Sequence, residues 1–324
     1  MDVLGIDISK DDFHACLVQE GRQKAHSFPN NATGYRQLSR WLKNREAAEI
    51  HACMEATGPY WRDLATSLVE QGQRVSVVNP ARTAMFARSQ LRRTKTDIVD
   101  AEMIAQFCQT QQPGLWTPPA PYILELRGLL SYRQELVDQR TRIGQVAGSI
   151  EVSKQLGRLH TKHIKVLNET IDVVEGQLRQ TLKTNGNLST QHAKLESVDG
   201  IGFLTAATLV AKLPVDRLRD AKAAAAYVGL TPRERQSGTS VKGKPRICKT
   251  GDATLRRDLY MPAMVAMRHN PILAAFAARL KERGKPPKVI IVAVMRKLVV
   301  LAFNLLKAGT STTAPLQLDF QDSI

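Results

Sequence analysis

The sequence predicts an α/β domain at the N-terminus, followed by a helical region and a mainly α-helical C-terminal domain. Three short apolar runs open the chain, and helical and strand-like segments then alternate, which is the order of an α/β domain. The proline-rich stretch 116–121 interrupts this pattern, since proline excludes regular helix. Almost no strand pattern follows it. We therefore place the domain bounds at 1–118, 119–188 and 189–324.

The first domain contains five short apolar runs of the kind that form buried strands. The run Asn31 to Gly34 opens a helix that ends near Lys43. Pro59 predicts the first turn of a second helix, where its missing N–H costs nothing. A basic segment of helix or loop follows the fifth strand, and another helix is predicted from about 97 to 109. The predicted strands are 3–8, 13–18, 23–28, 50–55 and 74–78.

The helical region 119–188 has apolar residues at coiled-coil spacing. A first helix has one apolar face, and in a second helix the apolar residues alternate three and four apart. This spacing fits a helical hairpin that folds back on itself, and it fits a coiled coil between two chains equally well. We favour the coiled coil, which would make the protein a dimer. The seam residues are Ile164, Leu167, Ile171, Val174 and Leu178.

The C-terminal domain is predicted as helical segments around one long polar loop. The loop covers 229–251, and the final residues 309–324 have the composition of a loose tail. The predicted helical segments are 193–213, 221–228, 252–267, 271–283 and 288–307.

The charge of the chain indicates a polyanionic partner. Lys and Arg total 46 against 30 Asp and Glu, which gives a net charge of +16 and an isoelectric point near 9.9. Nucleic acid is the usual partner of such a protein, although basic charge can also serve solubility alone. Residues 229–297 hold 16 of the cations and only four acids. A second basic patch consists of Arg82, Arg88, Arg92, Arg93 and Lys95.

The cysteines and the apolar segments indicate a soluble protein of the cytoplasm. The four cysteines are scattered without CxxC spacing, as is usual for reduced thiols of the cytosol. The chain begins directly with a strand pattern rather than a signal peptide. Its most apolar run, 289–306, contains Arg296 and Lys297, which argues against a membrane span.

Four carboxylates in the first domain are poorly explained by packing. Asp7 lies within an apolar strand and Glu55 ends another, where an unpaired charge is costly. Asp97 and Asp100 lie three residues apart on one face of a helix and repel each other unless a cation lies between them. Taken singly, each has an ordinary alternative as a turn former, strand end or helix cap. Together, with this strand order, they predict the arrangement of RNase H-like nucleases.

Such a set of carboxylates suits two divalent cations with a preference for oxygen ligands. Two such ions about 3.5–4 Å apart stabilise both the attacking and the leaving oxygen of a phosphodiester displacement. The sequence therefore predicts two hard divalent cations bound by Asp7, Glu55, Asp97 and Asp100.

Two glycine-containing segments of the C-terminal domain are candidate phosphate contacts. Gly200 and Gly202 lie in a turn that resembles a helix-hairpin-helix, whose backbone N–H groups can approach a phosphate. An ordinary glycine turn between packed helices fits as well. In the polar loop, Ser237, Thr239 and Ser240 lie among cations that could neutralise a phosphate under attack by a serine. A loop that only grips backbone phosphates is the alternative. Its cations are Arg233, Arg235, Lys242, Lys244 and Arg246.

The motifs resemble those of the DEDD transposases, the Piv/MooV-like insertion-sequence family that includes bridge-RNA-guided recombinases. The N-terminal matches are GID at Asp7, EATG from Glu55 and KTDxxDA from Lys95. The C-terminal matches include GIG from Gly200 and SGTS from Ser237. The resemblance spans nearly the whole chain, and the motifs occur in the family's order.

The resemblance implies a RuvC-like domain whose DEDD residues are Asp7, Glu55, Asp97 and Asp100, with magnesium. It also implies a dimerisation helix region and a C-terminal transposase domain whose nucleophilic serine is Ser237. In the family this serine links covalently to DNA while the acidic site of another protomer assists, and a structured RNA selects target and donor DNA. Expected partners are therefore target and donor DNA, a guide RNA, and further copies of the chain as a dimer or tetramer.

Three functions remain open at this stage. The first is an RNA-guided recombinase of a mobile element, which would act at the nucleoid. The second is a RuvC-like resolvase or nuclease that uses water, with Ser237 as a phosphate contact only. The third is a nucleic-acid-binding scaffold whose acidic residues are structural.

Overall fold

A computed structural model describes residues 1–90, 96–149, 153–237 and 241–308. For 148–149, 234–237 and 241–245 the description covers the backbone alone. The chain divides into two compact units, Met1–Pro119 and Ala120–Ile324. Each unit is described separately below. The mixed α/β first unit and the mostly helical second unit confirm the predicted fold class at this level, whereas the division into three domains remains a prediction.

The described part of the first unit is built on one sheet of five strands in the order β3-β2-β1-β4-β5. The first three strands are antiparallel neighbours, whereas β4 and β5 run parallel to β1. This arrangement is consistent with an RNase H-like domain. The strands are β1 (Asp2–Ile8), β2 (Asp12–Gln19), β3 (Arg22–Pro29), β4 (Ile50–Glu55) and β5 (Arg74–Val78).

Alternation along the strands gives the sheet two buried faces. One face contains Leu4, Ile6 and Met54 and packs against residues of α1 and α2. The other face contains Val3 and Cys53 and packs against α4. The helices of this unit are α1 (Ala32–Lys43), α2 (Arg62–Glu70), α3 (Pro80–Ser89) and α4 (Asp97–Gln111).

One helix start in the first unit was predicted wrongly. Pro59 does not begin α2, which starts at Arg62 with Trp61 at its N-cap. Gly58 has a positive φ of 58°, so the chain turns before it can enter the helix. The basic segment after β5 forms a helix, α3, which Asn79 caps by accepting a hydrogen bond from the N–H of Ala81.

The second unit begins with a hairpin of two long helices, α5 (Pro121–Ser149) and α6 (Lys154–Thr184). Leu136 packs with Leu167, Ile171 and Val174, and the Arg133 side chain donates a hydrogen bond to Glu175 at 2.6 Å. The predicted coiled-coil seam is therefore buried within the chain, which is the hairpin alternative. A coil between two chains remains a prediction, because the packing of these side chains on α5 describes one chain only.

The remaining helices of the second unit enclose a larger core around α13, to which Leu126 of α5 and Leu178 of α6 also belong. By length and composition α13 alone, among the described residues, could cross a membrane, but nine of its residues lie in this core. The helices are α7 (Gly186–Glu196), α8 (Phe203–Lys212), α9 (Ala221–Val228), α10 (Ala253–Asp258), α11 (Tyr260–His269), α12 (Pro271–Glu282) and α13 (Pro287–Ala308).

The predicted loop 229–251 contains an antiparallel β-hairpin, which corrects the sequence interpretation. Its strands are β6 (Pro232–Ser237) and β7 (Val241–Ile247). Strand patterns are recognised by alternating apolar residues, and these two strands are mostly polar or charged. The predicted tail 309–324 lies outside the described residues.

Candidate active site

Two of the four predicted carboxylates lie side by side at one end of the sheet. Strand β1 pairs in parallel with β4, and Ile6 is the register partner of Met54. Asp7 and Glu55 are the next residues of these strands. Since neighbouring residues point to opposite faces, both carboxylates belong to the face that α4 covers.

The other two carboxylates lie in the first turn of α4. Thr96 caps this helix by accepting a hydrogen bond from the N–H of Val99 at 3.3 Å. Asp97 and Asp100 follow directly, where the helix dipole favours negative charge. Ala101, the next residue, is fully buried against the sheet.

Gly5 allows α4 to lie directly on the sheet at this point. A Cβ atom on Gly5 would come within 2.1 Å of the carbonyl oxygen of Ala101 and 2.3 Å of the N of Ala105. Real side chains cannot adopt such contacts, so the helix backbone occupies the space that any other residue would need. Because Asp100 precedes Ala101, this contact brings the α4 carboxylates towards Asp7.

We expect Gly5→Ala to destabilise the first unit, because α4 must move away from β1. The cost should be about 1–3 kcal/mol, the usual range for overpacking. Chemical denaturation of the purified variant measures it. Gly114→Ala is the matched control, because its Cβ would meet nothing within 4 Å. Equal losses in the two variants would contradict the role given to Gly5.

The four carboxylates share one electrostatic field. Burial, followed by the negative charges of Asp100, Glu55 and Asp97, raises the pKa of Asp7 from 3.8 to about 6. His14, the register partner of Asp7 on β2, lowers the pKa of Asp7. The raised pKa of Asp7 therefore reflects both its burial and the negative charge gathered at this end of the sheet.

Glu55 is held by a threonine that the sequence interpretation did not identify. The Thr83 hydroxyl lies 2.5 Å from Oε1 of Glu55, to which it can donate its hydrogen, and 2.9 Å from the carbonyl oxygen of Pro80. Thr83 is only 5% exposed, so its hydroxyl has a fixed position on α3. His14 was also missed. Neither residue belongs to a recognisable motif, and only the strand register and the direction of α3 bring them to the site.

The donors at this site fit hard divalent cations by chemistry, although they do not form a closed metal-binding cluster. In the described residues no group of three or more His, Cys, Asp and Glu side chains has the geometry to hold an ion. The four carboxylates supply oxygen ligands. Their negative charges repel one another, and a bound divalent cation would offset this repulsion. Asp7, Glu55, Asp97 and Asp100 therefore remain the candidate ligands.

The predicted basic patch is only partly described. Arg82 lies on α3 with its guanidinium 5.3 Å from the ring centroid of Phe107, and Arg88 is exposed near the end of the same helix. Arg92, Arg93 and Lys95 lie outside the described residues.

In the second unit, Ser237 is the last residue of β6 and pairs with Val241. Thr239 and Ser240 lie outside the described residues, as do the side chains of Ser237, Arg235, Lys242 and Lys244. Arg233 and Arg246 are register partners across the hairpin, and both are exposed. The strands thus place two of the predicted cations opposite each other at the base of the hairpin.

The base of this hairpin is anchored to α9 and α10. Arg256 donates hydrogen bonds to the carbonyl oxygens of Val228 and Lys249, at 2.9 and 3.3 Å. Gly229 ends α9 with a φ of 77°, and Gly251 has a φ of 157° with Tyr227 O only 2.3 Å from where its Cβ would lie. These contacts fix both strand ends of the hairpin on the helical core.

The two glycines of the helix-hairpin-helix-like turn have different surroundings. Gly200 has a φ of 101°, and its Cβ would lie 2.6 Å from the Cβ of Ala266, so close packing against α11 requires glycine here. Gly202 is the N-cap of α8 and has open space around it. Phosphate contact thus remains a prediction for the start of α8, whereas packing already accounts for Gly200.

Comparison with known proteins gives matches over both units. A family model described as "Transposase", of the DEDD type found in IS110, matches residues 4–147. A second, described as "Transposase IS116/IS110/IS902 family", matches residues 192–278. The first match contains all four carboxylates, and the second contains the β6–β7 hairpin.

Curated relatives match along nearly the full chain. The pilin gene-inverting protein of Moraxella bovis is 32% identical over 312 residues, which cover 94% of this chain and 95% of the relative. The same protein of Moraxella lacunata matches equally well. The transposase of insertion sequence element IS1111A from Coxiella burnetii is 23% identical over 299 residues, 82% of this chain and 78% of the relative. From these matches and from the order of the motifs, the chain belongs to the IS110-type transposase family.

Proposed function

We propose that the protein is a DNA recombinase that cuts and rejoins DNA at a composite site of four carboxylates and one serine. The observation that carries this proposal is the electrostatic field that four carboxylates share. Asp7 and Glu55 lie on the sheet, and Asp97 and Asp100 lie on α4, the helix that Gly5 allows to pack against it. The names of the relatives, a gene-inverting protein and transposases, support DNA rearrangement as the overall reaction.

The first unit would be an RNase H-like, RuvC-like nuclease domain that uses Mg²⁺. Asp7, Glu55, Asp97 and Asp100 would hold the ions, two in number. Bound Mg²⁺ would supply charge neutralisation at the phosphate and a lower pKa for an attacking hydroxyl. The Thr83 hydroxyl would keep Glu55 oriented towards the site.

Ser237 would be the nucleophile. Its Oγ forms a bond to phosphorus, the bond from phosphorus to a deoxyribose oxygen breaks, and that oxygen leaves with a proton. Arg233 and Arg246, opposite each other on the hairpin, would neutralise the phosphate oxygens. No histidine lies near Ser237 in sequence, the nearest being His192 and His269, which favours transfer of the serine proton to the acidic site. The acidic site and the serine would therefore meet on DNA, from one chain or from two.

A structured RNA would select the target and donor DNA. The support for RNA is the family resemblance, to which the net charge of +16 adds a general affinity for polyanions. We place the protein in the cytoplasm, at the nucleoid during recombination.

A homo-oligomer would form through a face of α6 that the hairpin leaves exposed. Leu159, Val166 and Val173 are 58%, 51% and 61% exposed, and with Leu156, His163 and Thr170 they repeat at intervals of three and four residues. This is coiled-coil spacing on a different face from the buried seam. Light scattering at micromolar concentration checks the proposal, and a monomer at every concentration would contradict it.

A recombination assay with purified protein tests the proposed function as a whole. Donor and target DNA are incubated with the protein, with and without Mg²⁺, and with the element's own non-coding RNA or an unrelated RNA. We expect joined product only with Mg²⁺ and the element's RNA. Hydrolysed DNA without joined product would favour the resolvase, and equal activity with both RNAs would contradict RNA guidance.

A further inference from the structure

The N-terminal half of α6 carries an exposed stripe of cations outside the sites described above. Lys154, Arg158 and Lys162 are exposed and, among the described residues, have no ion-pair partner. Lys165 continues the stripe and makes a long ion pair of 3.8 Å with Glu169. These residues border a shallow groove of about 530 Å³, lined by Lys154, Gly157, Arg158, Thr161, Lys162 and Lys165.

The groove has a floor of helix backbone at its centre. Gly157 lines the groove without a side chain. The Thr161 hydroxyl donates its hydrogen to the carbonyl oxygen of Gly157 at 3.0 Å and therefore adds no barrier above the floor. The flanking cations can close around a ligand from both sides.

The cations are concentrated at one end of the α5–α6 hairpin. Residues 139–168, around the junction of the helices, contain six Lys or Arg and one Glu. The other end, 121–138 and 169–184, contains four Lys or Arg and six Asp or Glu. Two of the cations at the junction are engaged, since Arg140 donates to Asn168 and Arg142 pairs with Glu135. The α6 stripe therefore supplies the available positive charge.

The stripe is separate from the other two faces of α6. At 3.6 residues per turn, it lies roughly 115° around the helix from the exposed apolar face and about 155° from the buried seam. A cationic face that is neither buried on α5 nor part of the proposed interface between copies remains open to a third partner.

We infer that the α6 stripe binds the phosphate backbone of duplex DNA without reading its sequence. The stripe from Lys154 to Lys165 spans about 17 Å at ~1.5 Å per residue. Duplex DNA presents a negative charge about every 1.7 Å of its axis, so several phosphates lie along that length. The choice of DNA rests on the proposed function, whereas the affinity for phosphate rests on the stripe itself.

Binding of a short labelled duplex of unrelated sequence tests the inference. The triple variant Lys154→Gln, Arg158→Gln and Lys162→Gln is compared with a control that removes the same charges elsewhere, Arg22→Gln, Lys24→Gln and Lys43→Gln. The control residues are exposed on the first unit. At low salt we expect the stripe variant to bind about tenfold more weakly than the control. The slope of log affinity against log salt should fall by about 2.7, since each phosphate contact contributes about 0.9.

A second variant and a second probe complete the test. Thr161→Glu, which adds a negative charge in the groove, should also weaken DNA binding. Equal affinities and salt slopes for the stripe and control variants would overturn the inference, as would a loss confined to a structured RNA probe. The duplex-binding assay is run without Mg²⁺, under conditions in which no strand transfer is expected. A catalytic failure of the proposed function would therefore be distinguishable from a failure of the stripe.

Discussion

Replacement of Asp7 by Asn is expected to lower the rate of strand transfer by about three orders of magnitude or more, with the fold retained. Asp7 is the carboxylate on which the fields of the other three converge, so its loss removes the centre of the proposed metal site. Strand transfer in Mg²⁺ measures the effect. Asp11→Asn is the matched control, because Asp11 is exposed and lies outside the site. Wild-type activity of Asp7→Asn would show that Asp7 is not a ligand.

The same substitution should stabilise the protein at neutral pH. The pKa of Asp7 is about 6 in the folded protein against 3.8 in the unfolded chain. Below pH 3.8 the carboxyl is neutral in both states. As the pH rises from 3.8 to 6, Asp7 ionises in the unfolded chain before it ionises in the folded protein, so the free energy of unfolding falls. Above pH 6 the full cost of holding a charged Asp7 in the folded protein persists.

Asp7→Asn removes this cost, with an expected gain of about 1 kcal/mol after a reduction for solvent screening of the partly exposed carboxyl. Thermal unfolding without Mg²⁺ should show a larger difference at pH 8 than at pH 4.5. A difference that does not depend on pH would show that ionisation of Asp7 is not its cause.

Replacement of Ser237 by Ala is expected to remove both strand transfer and the covalent adduct with DNA, while RNA and DNA binding persist. Without the hydroxyl, no Oγ–P bond can form, and activity should fall to background. Denaturing gels with labelled DNA would show the adduct of the wild-type protein, and peptide mass mapping would locate it.

Ser240→Ala is the matched control and should lose less activity than Ser237→Ala. An adduct on Ser240, or strand transfer that survives Ser237→Ala, would show that the other hydroxyl is the nucleophile. An active protein that cuts DNA with no adduct at all would favour hydrolysis by water, the reaction of a resolvase.

The sequence predicted the strands of the sheet well, because strands depend on local patterns. The same patterns drew attention to the four carboxylates, whose role remains a prediction. Apolar runs marked the strands, and an acid within such a run stood out. The partners of those carboxylates could not be predicted in this way. His14 faces Asp7 because of the β1–β2 register, and Thr83 reaches Glu55 because of the direction of α3. Both depend on long-range geometry.

The β6–β7 hairpin and the α6 seam show where local patterns mislead. The hairpin is held by backbone pairing and by Arg256 at its base, so its side chains need not alternate between apolar and polar. On α6, coiled-coil spacing was read correctly, but spacing does not say which chain supplies the partner. The structure assigns the seam through Leu167 and Ile171 to α5 of the same chain.

Helix α6 has three distinct faces: the buried seam, the exposed apolar face and the cationic stripe. Their angular positions around the helix restrict which insertions and deletions the chain can accept. A one-residue insertion between Lys154 and Leu167 turns everything on one side of it by about 100° relative to the other, which would break the stripe and both apolar faces together. A seven-residue insertion in α6, matched by one in α5, is close to two full turns. It leaves all three faces nearly aligned while lengthening the hairpin by about 10 Å. We therefore expect natural and engineered variants of this hairpin to differ in length by multiples of seven residues per helix. The length of the hairpin can then vary while the contacts between its helices are kept.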